Sequence, residues 1–355
     1  MLFLMLACGK HKAPDAMATP IVPATLAPLY SRSDTPPRDE VVKHVAGEVP
    51  LDEALSGVAG AVGLLVAEGL AYDRSSVNWA RMRAGWPHAI DAIVVERVAE
   101  GELPVEAGTV ATEARAEGLV VGMARVRDGD RDVWVTVSSI APVRLSAFPR
   151  ELAVGQTLSI GTVDAAGYTA LEVWAVGPSG LALGPGAVVV DEPGEWFVEV
   201  WGTSPEGVDE VVGSGALYVA TETPDDGPFE EPIPAAGELA ATVLEALNDL
   251  RYLEDLQAIG ADPVLGSSAR SELERRKREG WTLDPAADAR LEGLGFSGAR
   301  AELSCRGPNV SSCLDTIWWS VTERSVLLTP QLDVAGLAVE VVNGQLAVVI
   351  DLAQE

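Results

Sequence analysis

The arrangement in this chain best suited to holding a ligand is a double tryptophan followed by a carboxylate, Trp318-Trp319 and then Glu323. Leu314, Ile317, Trp318 and Val321 recur at helical spacing, which assigns Trp318 to a core stripe. Trp319 falls on another face with Asp315, Thr322 and Glu323, so an aromatic ring stands beside an acid. On a separate helix Asn248, Arg251 and Asp255 also share one face. Polar groups and one aromatic off the core stripes of two helices are what a partly apolar recognition cleft requires. Covalent and metal chemistry lack their usual spacings. There is no C-x-x-C, H-E-x-x-H or G-x-S-x-G, and Gly184-Pro-Gly186 is a turn rather than a nucleotide fingerprint. His88, in Gly85-Trp-Pro-His-Ala89, reads as a surface loop residue, and no histidine follows it. The basic run Arg275-Arg-Lys-Arg278 reads as a solvated, self-compensated helix face, with Glu272 opposite Arg276 and Glu274 opposite Arg278 at i,i+4.

The elements that position these groups belong to a chain of 355 residues, long enough for two or three domains. With 48% hydrophobic and 22% charged residues, most of it folds despite 23 prolines. Asp and Glu total 53 against 25 Lys and Arg, a formal charge of −28 that repels phosphate backbones and anionic bilayers. Nucleic acid is thereby excluded as the expected partner. Residues 1–8, MLFLMLAC, are followed by a polar, Pro-rich stretch and resemble the end of a bacterial lipoprotein signal, with Cys8 as the lipidated residue. Because the apolar run is short and lacks a basic start, the true start is expected upstream. The expected address is a bacterial cell envelope, with the membrane reached only through a lipid at Cys8. Cys305 and Cys313, close together in an exported segment, are expected to pair as a disulfide. The uncharged run Ala54–Ala67 is too short to span a membrane; Leu51, Leu55, Val58, Val62 and Leu65 make it one buried helix stripe.

Punctuation by Pro and acid divides the chain into a signal end (1–8), a linker (9–40), a helix-and-strand unit (41–145), an all-β sandwich of immunoglobulin-like architecture (146–221), an acidic Pro-rich linker (222–237) and a final unit (238–355). The two outer units read as diverged repeats. Asp52 and Asp262 each open a helix, Gly69 and Gly280 close it, and the register continues to Gly85 and Gly295 with about one insertion. Each ends in a hairpin signal, Asp128-Gly129 and Asn343-Gly344.

In the last unit Leu247-Asn248-Asp-Leu-Arg251, Asp262-Pro-Val-Leu265-x-x-x-Ala269, Gly295-Phe296, Trp318-Trp319-Ser320, Glu323-Arg324-Ser-Val-Leu327-Leu328 and Val334-Ala-Gly336-Leu-Ala-Val339 follow in an order that resembles the CAP superfamily of cysteine-rich secretory, antigen-five and pathogenesis-related proteins. The resemblance covers about 120 residues, with weaker echoes in residues 45–140, and implies an α+β fold whose final unit is an α-β-α sandwich around an antiparallel sheet. Many members hold a divalent metal with two histidines and two glutamates. Here Leu247 and Glu323 stand at the histidine positions, while Glu302, in Ala301-Glu302-Leu303-Ser304, matches an acidic one. No metal and no cofactor are expected. The resulting reading is a non-catalytic envelope lipoprotein that binds a glycan, lipid or protein, with Asn248, Arg251, Glu302, Trp319 and Glu323 as candidate binding residues. The alternatives are a hydrolase using Glu302 and Glu323 as a carboxylate pair, and a structural or assembly protein of the cell surface.

Overall fold

The computed structural model describes residues 29–32, 39–70, 72, 74–221, 238–282 and 284–355. Cys8, the run 1–8 and the acidic stretch 222–237 lie outside the described residues. The chain is of mixed α+β class, with helices packed on antiparallel sheets at both ends and an all-β body between. No described helix is long and apolar enough to cross a membrane.

The first unit comprises α1 (Glu40–Ala46), α2 (Glu53–Ala67), α3 (Arg74–Ala84), β1 (Ile90–Ala99), α4 (Glu106–Ala116), β2 (Val120–Asp128) and β3 (Arg131–Ser139). The last strand is central, in the order β1-β3-β2, and antiparallel to both neighbours. Strand alternation gives the sheet two buried faces. Val133, Val135 and Val137 pack against the Leu55, Val58 and Val62 stripe of α2, while Trp134 faces α1 and α4 through Val42, Ala107 and Ala111. The Asp52 carboxylate accepts from the Leu55 N–H at 3.0 Å and caps α2, as its position before the apolar stripe requires.

The last unit, which follows the long strands β4 (Thr169–Val176), β5 (Gly194–Thr203) and β6 (Asp209–Val219), comprises α5 (Leu239–Leu253), α6 (Pro263–Glu279), α7 (Ala287–Gly293), β7 (Arg300–Gly307), α8 (Val310–Trp318), α9 (Val321–Leu327), β8 (Val334–Val342) and β9 (Gln345–Ala353). Its final strand is also central: the order is Gly260–Ala261, β8, β9, β7. Ala338, Ala347 and Val349 meet Ala269 and Leu273 of α6, whereas Leu303, Cys305, Val348 and Ile350 meet α5 and α8 on the opposite face. Asp262 caps α6 from the Val264 and Leu265 amides, both at 2.8 Å, with Pro263 in the first turn where its missing N–H is harmless. Asn343 and Gly344 both take positive φ in a two-residue turn between Val342 and Gln345.

Between the units, β4 (Thr169–Val176), β5 (Gly194–Thr203) and β6 (Asp209–Val219) form the centre of a five-stranded sheet, flanked by Ala182–Leu183 and Glu151–Leu152. Two short ladders, Thr157–Leu158 with Val188–Val189 and Arg144–Leu145 with Thr162–Asp164, complete the body. The segment expected to be linker contributes to it. Leu29–Tyr30 pairs with Phe148–Pro149, and Tyr30 is fully buried, its hydroxyl donating to the Ala216 carbonyl at 3.0 Å and accepting from the Ala216 N–H at 2.9 Å. A phenol with both partners in place can enter a core.

His88 also departs from expectation. It is buried, not on a surface loop; Nδ1 donates to the Val212 carbonyl at 2.7 Å, and the ring lies edge-on to Trp86. Burial, helped by the charges of Arg32 and Arg81, pushes its pKa down to about 4, so it is neutral at physiological pH. Cys305 at the end of β7 and Cys313 in α8 form a disulfide, with Cα atoms 5.1 Å apart, which clips α8 to the sheet edge.

Candidate functional site

Asn248 and Arg251 do share a face of α5, but their polar groups are spent on backbone. The Asn248 amide closes a pair of hydrogen bonds with Ile259, donating at 3.1 Å and accepting at 2.7 Å. Arg251 is 1% exposed and donates to the carbonyls of Gln257, Leu327, Thr329 and Leu332. A guanidinium committed to four carbonyls staples α5 to the end of α9 and the following turn, leaving nothing at Arg251 for a ligand. The cleft expected between these residues and Trp319 is therefore closed on the α5 side.

Glu302 lies elsewhere. Ala301, Leu303 and Cys305 alternate toward α5 and α8, so Glu302 and Ser304 point to the other face of the sheet, under α6 and α7. There Arg276 bonds Glu302, Ser304 at 2.6 Å and Glu272 at 2.7 Å; Arg290 reaches Glu302 and Asp351, both at 2.6 Å, and Asp284 at 3.3 Å. Burial and the neighbouring carboxylates push Glu302 up to about 7 against the pull of both guanidiniums. Two expectations change here. Glu272 and Arg276 pair at i,i+4 as the spacing required, but both are buried, because the face that carries them is turned onto the sheet rather than solvated. Glu274 meets Lys277 at 3.2 Å rather than Arg278, which sits 3.9 Å from Glu279. Oxygens of Glu272, Asp284 and Glu302 approach within 4.8 Å of one another. The residues do not fit a divalent ion of the kind the CAP resemblance implies: no imidazole is present, and two guanidiniums already supply the countercharge. Since α9 packs on the opposite face of the sheet, Glu302 and Glu323 do not form a carboxylate pair.

Trp318 and Trp319 mark where the last unit meets the β body. Trp318 is 8% exposed; its indole N–H donates to Glu195 at 3.0 Å, and the Arg324 guanidinium lies 3.9 Å from its ring centre. Arg324, fully buried, also reaches the Glu195 carboxylate at 3.3 Å, the Glu195 carbonyl at 3.0 Å and Glu254 at 3.4 Å. Burial pushes Glu254 up to about 7. Trp319 is half-buried and meets Phe197 of β5 edge-on at 5.5 Å.

Along the same junction runs a groove of about 420 Å³. Its floor is the outer face of the β body and its wall is α9, through Val321, Thr322 and Ser325. The tripeptide Glu-Val-Trp occurs twice, at 172–174 in β4 and at 199–201 in β5. Antiparallel pairing sets Glu172 opposite Trp201 and Trp174 opposite Glu199, a two-by-two alternation of acid and indole on one face. Each indole N–H donates to the glutamate of its own tripeptide, Trp174 to Glu172 at 3.3 Å and Trp201 to Glu199 at 2.9 Å. Glu199 is 5% exposed, raised in pKa by burial, and its second oxygen caps α9 at the Val321 N–H, 3.2 Å away. Glu172, Trp174 and Trp201 line the groove, which ends at Thr203 and Asp209. Sequence reasoning placed this region in an all-β sandwich but did not align its strands; the repeated tripeptide was the signal that could have found the alignment.

The chain is thus of mixed α+β class, with an open groove at the junction between its β body and its last unit. No family model and no curated protein matches the sequence. Among solved structures, an outer surface protein of Borrelia burgdorferi matches at 12% identity with a TM-score of 0.30, covering 36% of this chain and 100% of that one. A cysteine-rich secretory protein of Staphylococcus aureus matches at 15% identity and TM-score 0.30, covering 44% of this chain and 56% of that one. An extracellular SCP-domain protein of Bacillus anthracis matches at 12% identity and TM-score 0.28, over 47% and 67%. Overlaps this low carry no argument about function.

Proposed function

We propose that this chain is an exported, non-catalytic cell-envelope protein, tethered through Cys8, that binds its ligand in the groove between the β body and α9. The observation that carries this reading is the contrast between the two acidic sites: the carboxylates under α6 are closed into ion pairs with Arg276 and Arg290, whereas the groove presents indoles and carboxylates to solvent. A concave site with aromatic lining and a few fixed polar groups is the usual form of a small-ligand site. On the same reading, the outer units are diverged copies of one α-β-α plan, and only the last copy supplies a groove wall. Thermal unfolding with a panel of glycans, lipids and peptides tests it. A groove ligand at a hundred times its Kd adds about 2.7 kcal/mol to the wild type and much less to Trp201→Phe. Equal stabilisation of both proteins by every active compound would remove the groove from the function.

A further inference from the structure

We infer that the junction groove selects a small organic cation of the quaternary-ammonium type, an inference that rests on the groove being the ligand site. Its lining includes Glu172 and Asp209 and no Lys or Arg. The one guanidinium of the α9 wall, on Arg324, is fully buried and held by Glu195 and Glu254 at the other side of the helix. An anionic ligand would therefore meet uncompensated carboxylates, whereas a cation would find its countercharge in place, within a chain whose net charge of −28 draws cations toward it.

The indoles add the second half of the argument. Because the Trp174 and Trp201 N–H groups are already donated to Glu172 and Glu199, what the rings offer a ligand is their π surface. A carboxylate accepting from an indole N–H also raises electron density in the ring, strengthening the quadrupole that attracts a cation. A diffuse, weakly hydrated quaternary ammonium suits this site better than a metal ion. It has no N–H to satisfy and loses little hydration on meeting an aromatic wall, whereas a hard cation demands several oxygen ligands at short distance. Thr203 already donates to Asp209 at 2.7 Å, which fixes that carboxylate at the groove's end.

Titration calorimetry of the full chain with choline, with its neutral isostere 3,3-dimethylbutan-1-ol and with a neutral disaccharide tests the inference. Choline should bind at least tenfold more tightly than the alcohol. Glu172→Gln, which preserves shape, should erase most of that preference, and Trp201→Phe should weaken choline severalfold. Circular dichroism of both variants checks that they fold. If the alcohol binds as tightly as choline, or if choline does not bind at millimolar concentration, the cation inference is overturned. Disaccharide binding that Trp201→Phe weakens would then preserve the groove as a ligand site. Binding of any probe that neither variant alters would overturn the groove reading as well.

Discussion

Arg324 and His88 are both buried basic groups, and the chain handles them in opposite ways. Arg324 keeps its charge because two carboxylates, a carbonyl and an indole face surround it. His88 meets one carbonyl and nearby guanidiniums, and stays neutral. Replacing Arg324 by Met should cost about 3 to 5 kcal/mol, since breaking a buried pair leaves charge uncompensated; urea unfolding of the full chain measures it, and a loss below 1 kcal/mol would mean that solvent reaches Glu195 and Glu254. For His88 the sign follows from its lowered pKa. Between about 6.5 and 4 the unfolded chain binds a proton that the folded chain refuses, so this contribution to stability is complete above 6.5 and is lost as pH falls toward 4. Wild type should therefore lose stability relative to His88→Gln across that window, and parallel pH profiles would show that the folded ring takes up the proton after all.

At the scale of elements, the outer units apply the same device to seat a helix on a sheet. Asp52 donates its N–H to the Val121 carbonyl at 2.9 Å, and Asp262 donates to Ala335 at 2.8 Å, tying each helix start to a strand. The next strand residue is glycine in both, because a Cβ on Gly122 would stand 2.3 Å from the Leu55 carbonyl carbon and one on Gly336 only 1.9 Å from that of Leu265. Gly122→Ala and Gly336→Ala should each destabilise by about 3 kcal/mol, the upper part of the overpacking range, because the obstacle is backbone. Gly266→Ala, where an added methyl meets nothing within 4 Å, should instead stabilise by about 0.5 to 1 kcal/mol. Thermal unfolding of the three variants compares them, and a tolerated Gly336→Ala would mean that α6 can lift from the sheet. Such helix starts and the Asn343-Gly344 turn were legible because each is written within a few residues, whereas the run from Leu314 to Glu323 is two helices and not the one its spacing suggested, since the first ends at Trp318 and Ser320 caps a second at Val321. Glu302 between two arginines, Tyr30 in the β core and the paired Glu-Val-Trp tripeptides were not legible, because each depends on which strand lies beside which and in what register. Arg251 misled for a related reason: spacing gives the face a side chain occupies but not whether carbonyls from a distant turn have claimed it.

For the whole molecule, the decisive place is where α5, α9 and the β body converge on Glu254. This residue ends α5, reaches Arg324 of α9 at 3.4 Å and feels the charge of Glu195 on β5. Burial, with the nearby Glu195 charge, lifts its pKa from the ordinary 4.5 to about 7, and Arg324 only partly opposes this. The folded chain thus holds this proton more tightly than the unfolded chain. The resulting stabilisation is complete below about 4.5 and is lost as pH rises through 7, opposite in sign to that of His88. The general self-repulsion of a chain with 53 acidic residues also grows with pH, so the wild-type profile alone does not isolate the junction. The difference between wild type and Glu254→Gln does, since both share every other charge. Urea unfolding at pH 5 and pH 8 should show wild type losing ground to Glu254→Gln at the higher pH. A stability difference that does not change between the two pH values would place the ionised carboxylate comfortably in its pair with Arg324 and remove protonation from the control of this junction.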